Sequence, residues 1–152
     1  MTSAKGRRPT AQQTVLVADG EVLVRMAVAQ QLRECGYVVV EAANGEEALV
    51  VLQKSNASIH IVLAAVQMPG TIDGFTLAIW IRHHRPDLKV VLTGNEVRSA
   101  TAAMELCACG PRPGRYEPQN LLAYIRRLKA ARAVRAMLGH WRDVTSRRRQ
   151  CK

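Results

Sequence analysis

The chain has 152 residues, the size of one domain with tails, and enough to bury a core without disulfides or metal. No run approaches the roughly 18 continuous apolar residues of a membrane helix. The opening MTSAKGRRPTAQQT lacks the apolar stretch of a signal peptide, so a cytoplasmic location is expected. The net charge of +10 suggests nucleic acid until it is divided: residues 1–13 carry +3 (Lys5, Arg7, Arg8), residues 126–152 carry +9 (ten Lys or Arg against Asp143), and residues 14–125 carry −2. The basicity sits at the two ends and says little about the chemistry of the middle.

TVLVA at 14–18 is a continuous apolar run, as suits a strand buried on both faces. Residues 22–35 set Val24, Val28, Leu32 and Cys35 at helical spacing, with Gly36 as the stop. YVVVEA at 37–42 reads as a second strand. Asn44 and Glu47 form a capping-box pattern before a second helix. SIHIVLAAV at 58–66 is a third strand and MPG at 68–70 a turn. A third helix is expected over 74–85, with Phe75, Leu77, Ala78 and Ile81 as packing candidates. LKVVLT at 88–93 is a fourth strand, followed by a fourth helix over 96–106. The fifth strand is expected near 106–111, and Glu117-Pro118 opens the last helix.

Strands alternating with helices through short connections imply parallel pairing by right-handed crossovers. The expected fold is α/β: a flavodoxin-like doubly wound (βα)5 sandwich with strand order 2-1-3-4-5. Ligands in such sheets sit at the carboxyl ends of the strands, which here means positions 18–21, 64–70, 93–95 and 111–116.

Two segments sharpen this reading. VLVADGEVLVRMAVAQQLRECGYVVVEAANGEEAL and IVLAAVQMPGTIDGFTLAIWIRHHRPDLKVVLTG resemble the receiver domain of response regulators, over roughly residues 14–128. The string MPG-x-x-DG, with RPDLKVVLTG at the right distance, is more specific than a short motif alone. The resemblance implies a phosphoaccepting aspartate at the end of the third strand and two acids after the first strand that hold Mg²⁺. It also implies a Ser or Thr after the fourth strand and a Lys after the fifth. Such chemistry is positioning plus neutralisation of spread negative charge.

Carried over position by position, the set is mostly broken. Ala65 stands at the phosphoacceptor position, and a methyl group is no nucleophile. Asp19 remains of the acid pair; its neighbour is Gly20, and Glu21 is expected to point away from the metal site. Thr93 is present and reads as a remnant of the active site, its hydroxyl buried and bonded to backbone. Gly114 or Arg115 falls at the lysine position, or Arg112 if a gap is placed differently. No cofactor is expected, with Mg²⁺ held weakly by Asp19 or not at all. The aromatic residue that the family carries on its fifth strand is missing from LCAC.

The remaining side chains have plainer readings. Cys35, Cys107, Cys109 and Cys151 suggest no disulfide framework; Cys107 and Cys109 read as small buried apolar groups without metal partners. Asp73 reads as a local cap, His83 and His84 suit a helix C-terminus, and Trp80 reads as a packing residue. His60 has no partner that the sequence names, and Trp141 is not explained. Apolar residues at 121, 125, 128, 131, 134 and 138 suggest a last helix to about Leu138, with Gly139 as its stop. Its basic face holds Arg126, Arg127, Lys129, Arg132 and Arg135; Arg126, Arg132, Val134 and Leu138 are the candidate interaction residues.

The expected organisation is a basic disordered tail (1–13), a receiver-like domain (14–128), and a basic helical extension with a disordered end (129–152). The expected function is that of a stand-alone degenerate receiver, not an enzyme, acting in two-component signalling through protein–protein contact. The partners expected are a sensor kinase, a phosphotransferase or another signalling protein, or a second copy through the fourth and fifth helices. The alternative is a scaffold whose basic tails bind nucleic acid or an anionic surface. A third reading makes Asp19 the nucleophile.

Overall fold

The structure is a computed structural model that describes residues 12–54, 58–112, 114 and 116–148, with side chains as far as residue 139 in the last helix. The expectations for residues 1–11, for Arg115, for the Trp141 side chain and for residues 149–152 lie outside what is described.

The elements are β1 (Thr14–Ala18), α1 (Val22–Glu34), β2 (Val38–Ala42), α2 (Gly45–Lys54), β3 (Ile61–Ala65), α3 (Gly74–His84), β4 (Lys89–Thr93), α4 (Glu96–Cys109) and α5 (Pro118–Arg148). All strand pairs are parallel, in the order β2-β1-β3-β4. Successive strand residues face opposite sides of the sheet. Val15, Val17, Ile61 and Leu63 therefore pack with α1, α4 and α5, while Leu16, Ala18, Val62 and Ala64 pack with α2 and α3. Among the described residues this is the doubly wound architecture expected, with four strands rather than five.

The local signals explain the boundaries. Gly36 adopts φ 94° just past the α1 cap. Glu47 N–H donates to Asn44 Oδ1 at 2.8 Å, and Ala43 N–H donates to Glu47 Oε2 at 2.8 Å, so α2 starts on a reciprocal cap. Asp73 Oδ1 accepts from Thr76 N–H at 2.8 Å and caps α3, as expected. Gly74 follows because a Cβ there would collide with the Ala65 carbonyl, so the start of α3 rests directly on the end of β3. His60 has a partner after all: its Nδ1 accepts from Thr14 N–H at 3.0 Å. Trp80 packs against the α2–α3 core and stacks on His84 at 4.5 Å between ring centroids.

Several expectations are corrected. Residues 106–109 form no fifth strand but the last turn of α4, and among the described residues β4 has no outer neighbour. The cause is periodicity: Ala100, Ala103, Met104 and Cys107 recur at helical spacing and are all buried against α1 and α5. Beyond them, Pro111 has no N–H to give a strand ladder. Phe75 is exposed, whereas Leu77 and Ile81 are buried as expected. Gly139 does not stop α5, which stays helical to Arg148. A helical glycine costs only about 1 kcal/mol against alanine, so it ends a helix only when the chain also turns there.

Cys35 and Cys107 are joined in a disulfide, against the expectation of none, and Cys109 is exposed rather than buried. Spacing along the chain cannot reveal a pair separated by 72 residues.

The apolar stripe of α5 runs past the domain and is exposed there, as expected. Leu121 and Ile125 are buried and Leu128 packs on the core, but Val134 and Leu138 are exposed. At 100° per residue, two steps of three from position 128 turn position 134 by about 120° away from the domain. The stripe winds off the core instead of extending it.

Candidate functional site

A cleft of about 390 Å³ opens at the carboxyl ends of the strands, lined by Asp19, Glu21, Val24, Ala65, Gln67, Thr93, Gly94, Asn95, Glu96, Ser99 and Lys129. Ala65, Asp19 and Thr93 are thus brought together, as the sequence predicted. Asp19 follows β1, and its N–H continues the ladder to Ala42 O at 3.1 Å. Ala65 and Thr93 are register partners at the tips of β3 and β4. No carboxylate comes from β3 itself, which ends in the methyl group of Ala65.

Asp19 is fixed by a short turn. Its Oδ1 accepts from Glu21 N–H at 2.9 Å, and its carbonyl accepts from Arg25 Nη1 at 2.8 Å. Burial pushes the Asp19 carboxyl above its ordinary range; the Glu21 N–H opposes this, the Glu21 charge adds to it, and Arg25 and Lys129 oppose it. Thr93 is buried, and its hydroxyl accepts from Ser99 Oγ at 3.1 Å and lies 3.5 Å from Ala64 O. Asn95 Oδ1 accepts from Arg98 N–H at 2.9 Å, which starts α4 at the rim.

A cation at the rim is Lys129, which the sequence assigns to the basic face of the last helix. Its Nζ lies 2.6 Å from Glu96 Oε2 and 3.0 Å from Glu21 Oε2. Hydrogen bonds to Glu96 and then Glu21 hold the Lys129 ammonium above the ordinary lysine range. Glu21 therefore turns toward the cleft, not away from it. One signal could have found Lys129. Eleven residues from the proline at the start of α5 rise about 16 Å, the length of a five-residue strand, so position 129 reaches the opposite end of the sheet.

Arg112 does not reach the cleft. Its side chain packs beside Gly36, at the amino end of β2. Among the described residues no fifth strand follows β4, and of the candidates for the lysine position that are described, Arg112 and Gly114, neither lines the cleft. Gly114 lies against the Tyr116 ring. Arg126 Nε lies 3.9 Å from Glu96 Oε1, and Arg132 lines a shallow groove with Gly20, Val22 and Leu23. Gly20 sits against the Pro69 ring, outside the cleft lining.

The model of the response regulator receiver domain matches residues 15–126. The chain belongs to the response regulator receiver family. It is 37% identical over 89 residues to Sensor kinase CckA of Brucella abortus (strain 2308), covering 59% of this chain and 9% of that protein. It is 31% identical over 130 residues to Probable transcriptional regulator ycf27 of Porphyra purpurea, covering 84% of this chain and 52% of that one. The chain thus spans about half of ycf27 and a small part of CckA. The CheY-like receiver structure from Methanospirillum hungatei JF-1 superposes with a TM-score of 0.52 at 18% identity, covering 77% of this chain and 93% of that one, a likeness of fold. Receiver domains are signalling domains, and this chain is a two-component receiver domain. Among the described residues, no helix is long and apolar enough to cross a membrane.

Proposed function

We propose that this receiver acts in the cytoplasm without its own phosphorylation, as a degenerate response regulator that signals by occupying a partner protein. The single observation that carries the reading is Ala65 at the tip of β3, between Asp19 and Thr93. A phosphoryl group needs a nucleophilic oxygen there, and a methyl group supplies none.

The cleft also fits Mg²⁺ poorly. Magnesium takes near-octahedral oxygen ligands, commonly one or two carboxylates with phosphate oxygens and water. Asp19 is pushed by burial toward its neutral form, and Glu21 and Glu96 are already engaged by an ammonium group. We therefore assign the chain no catalytic step and no cofactor.

The partner we propose is a sensor kinase or phosphotransferase, reached through the domain of residues 14–128 and the exposed part of α5 around Arg132, Val134 and Leu138. Incubation with acetyl phosphate and Mg²⁺ followed by intact mass is expected to show no added phosphate. An increment of one phosphoryl group would overturn the reading. The basic run at 126–152 favours a second reading, attachment to nucleic acid. Salt-dependent retention on DNA, lost when residues 139–152 are removed, would favour that one. Capture of a kinase or phosphotransferase that survives the truncation would favour the first.

A further inference from the structure

The Cys35–Cys107 disulfide ties the last turn of α4 to the end of α1. Cys35 caps α1, and Cys107 sits in the last turn of α4; both are fully buried in the core that α1, α4 and α5 share. Leu106 belongs to the same turn, and its carbonyl accepts from Tyr37 Oη at 2.6 Å. This is also the segment that the sequence offers as a strand, while β4 lacks an outer neighbour among the described residues.

The two placements exclude each other. A strand outside β4 would lie three strand spacings from β1, about 14 Å across the sheet. A disulfide tolerates Cα separations only up to about 7 Å, and here the two Cα atoms are 5.4 Å apart. While the bond exists, Cys107 stays on the helix layer beside Cys35 and the edge of β4 stays open.

We propose that Cys35 and Cys107 are a redox modification site: a reversible dithiol–disulfide pair whose oxidised form clamps α4 to α1 and whose reduced form releases the last turn of α4. The co-reactant is a small-molecule or protein disulfide of the glutathione class. One cysteine loses its proton and attacks that disulfide, forming a mixed disulfide and expelling one thiolate. The second cysteine then attacks the mixed disulfide and expels the other thiolate. The pair gives up two electrons and two protons, and the co-reactant becomes two thiols. Burial makes opening of the α4 end the gate for exchange, since neither sulfur is reached from solvent in the closed form. Reducing compartments keep such pairs as thiols, so the oxidised clamp forms when the redox poise shifts.

The full chain would be equilibrated in glutathione buffers from reducing to oxidising, its thiols trapped by alkylation, and the peptides mapped by mass. The Cys35–Cys107 peptide is expected to appear and vanish reversibly. In the reduced protein, amide exchange over 104–110 should accelerate at least about tenfold, and the melting midpoint should fall by roughly 10 °C. The double variant Cys35→Ala, Cys107→Ala should match reduced wild type in both buffers, and Cys109→Ser should match wild type. The reduced wild type carries no substitution, so poor folding of the double variant leaves the comparison intact. Absence of the cross-linked peptide under oxidation, a bond that no glutathione ratio reduces, or identical exchange in the two forms would overturn the proposal.

Discussion

Lys129 Nζ donates to Glu96 at 2.6 Å while also meeting Glu21 at 3.0 Å, so one ammonium group from α5 ties the openings of α1 and α4 together at the rim of the cleft. The pairs are partly exposed, with side-chain exposures of 39% for Lys129 and 26% for Glu96, so solvent and salt screen them. Lys129→Met is expected to cost up to about 1 kcal/mol, with the difference shrinking as salt rises. Because the folded-state pKa of Lys129 is raised, the contribution is whole below the ordinary lysine value of 10.5 and is lost as pH climbs through the folded value. Urea midpoints in low and high NaCl would check this, and a loss independent of salt would contradict it.

Asp19 works in the opposite sense. Burial holds its folded pKa above the ordinary 3.8, so the unfolded chain gives up the proton first. Stability then falls as pH rises from about that value through the folded pKa, and the whole penalty is present above it. Asp19→Asn keeps an acceptor for the Glu21 N–H while removing the buried charge. Its melting midpoint should exceed that of wild type at pH 7 and converge with it below pH 3.8. A variant less stable at pH 7 would show that the Arg25 and Lys129 charges outweigh burial.

Strand β1, the α1 stop at Gly36, the α2 and α3 caps and the meeting of Asp19, Ala65 and Thr93 were legible in the sequence, because each depends on neighbours within a few positions or on parallel strands ending at one edge. The disulfide and the fate of residues 106–109 were not. Each depends on which face α4 covers, and that is set by contacts between residues far apart in the chain. LCAC satisfies a short buried strand and the buried face of a helix equally well, and only the alanines upstream at 100 and 103 favour the helix.

The two halves of α5 should respond differently to truncation of apolar side chains. Leu121 and Ile125 are buried, so alanine at either is expected to cost about 2–5 kcal/mol. Val134 and Leu138 are 55% and 57% exposed, so serine at both should change stability by no more than about 0.5 kcal/mol. The same double substitution should weaken capture of a signalling partner. Urea midpoints give the first comparison and pull-down yield the second. A large stability loss at Val134 or Leu138 would mean that the extension folds back on the domain.

Restoring the missing acid at position 20 meets a steric obstacle. A Cβ on Gly20 would collide with Cδ of Pro69 and come within 3.2 Å of its Cγ, and the MPG turn that carries Pro69 is pinned from the far side. There Glu46 Oε1 accepts from Thr71 N–H and Oγ1, each at 2.8 Å, so the turn has little room to retreat. Gly20→Asp should therefore cost about 1–3 kcal/mol, the usual penalty of forcing atoms into filled space. Pro69→Ala removes the two ring atoms in the way, so the double variant should recover most of that loss. Urea denaturation of the four proteins in the cycle measures the coupling, and the two residues touch, so additivity is not expected. Losses that simply add would show that the cost at position 20 comes from the backbone rather than from the proline ring.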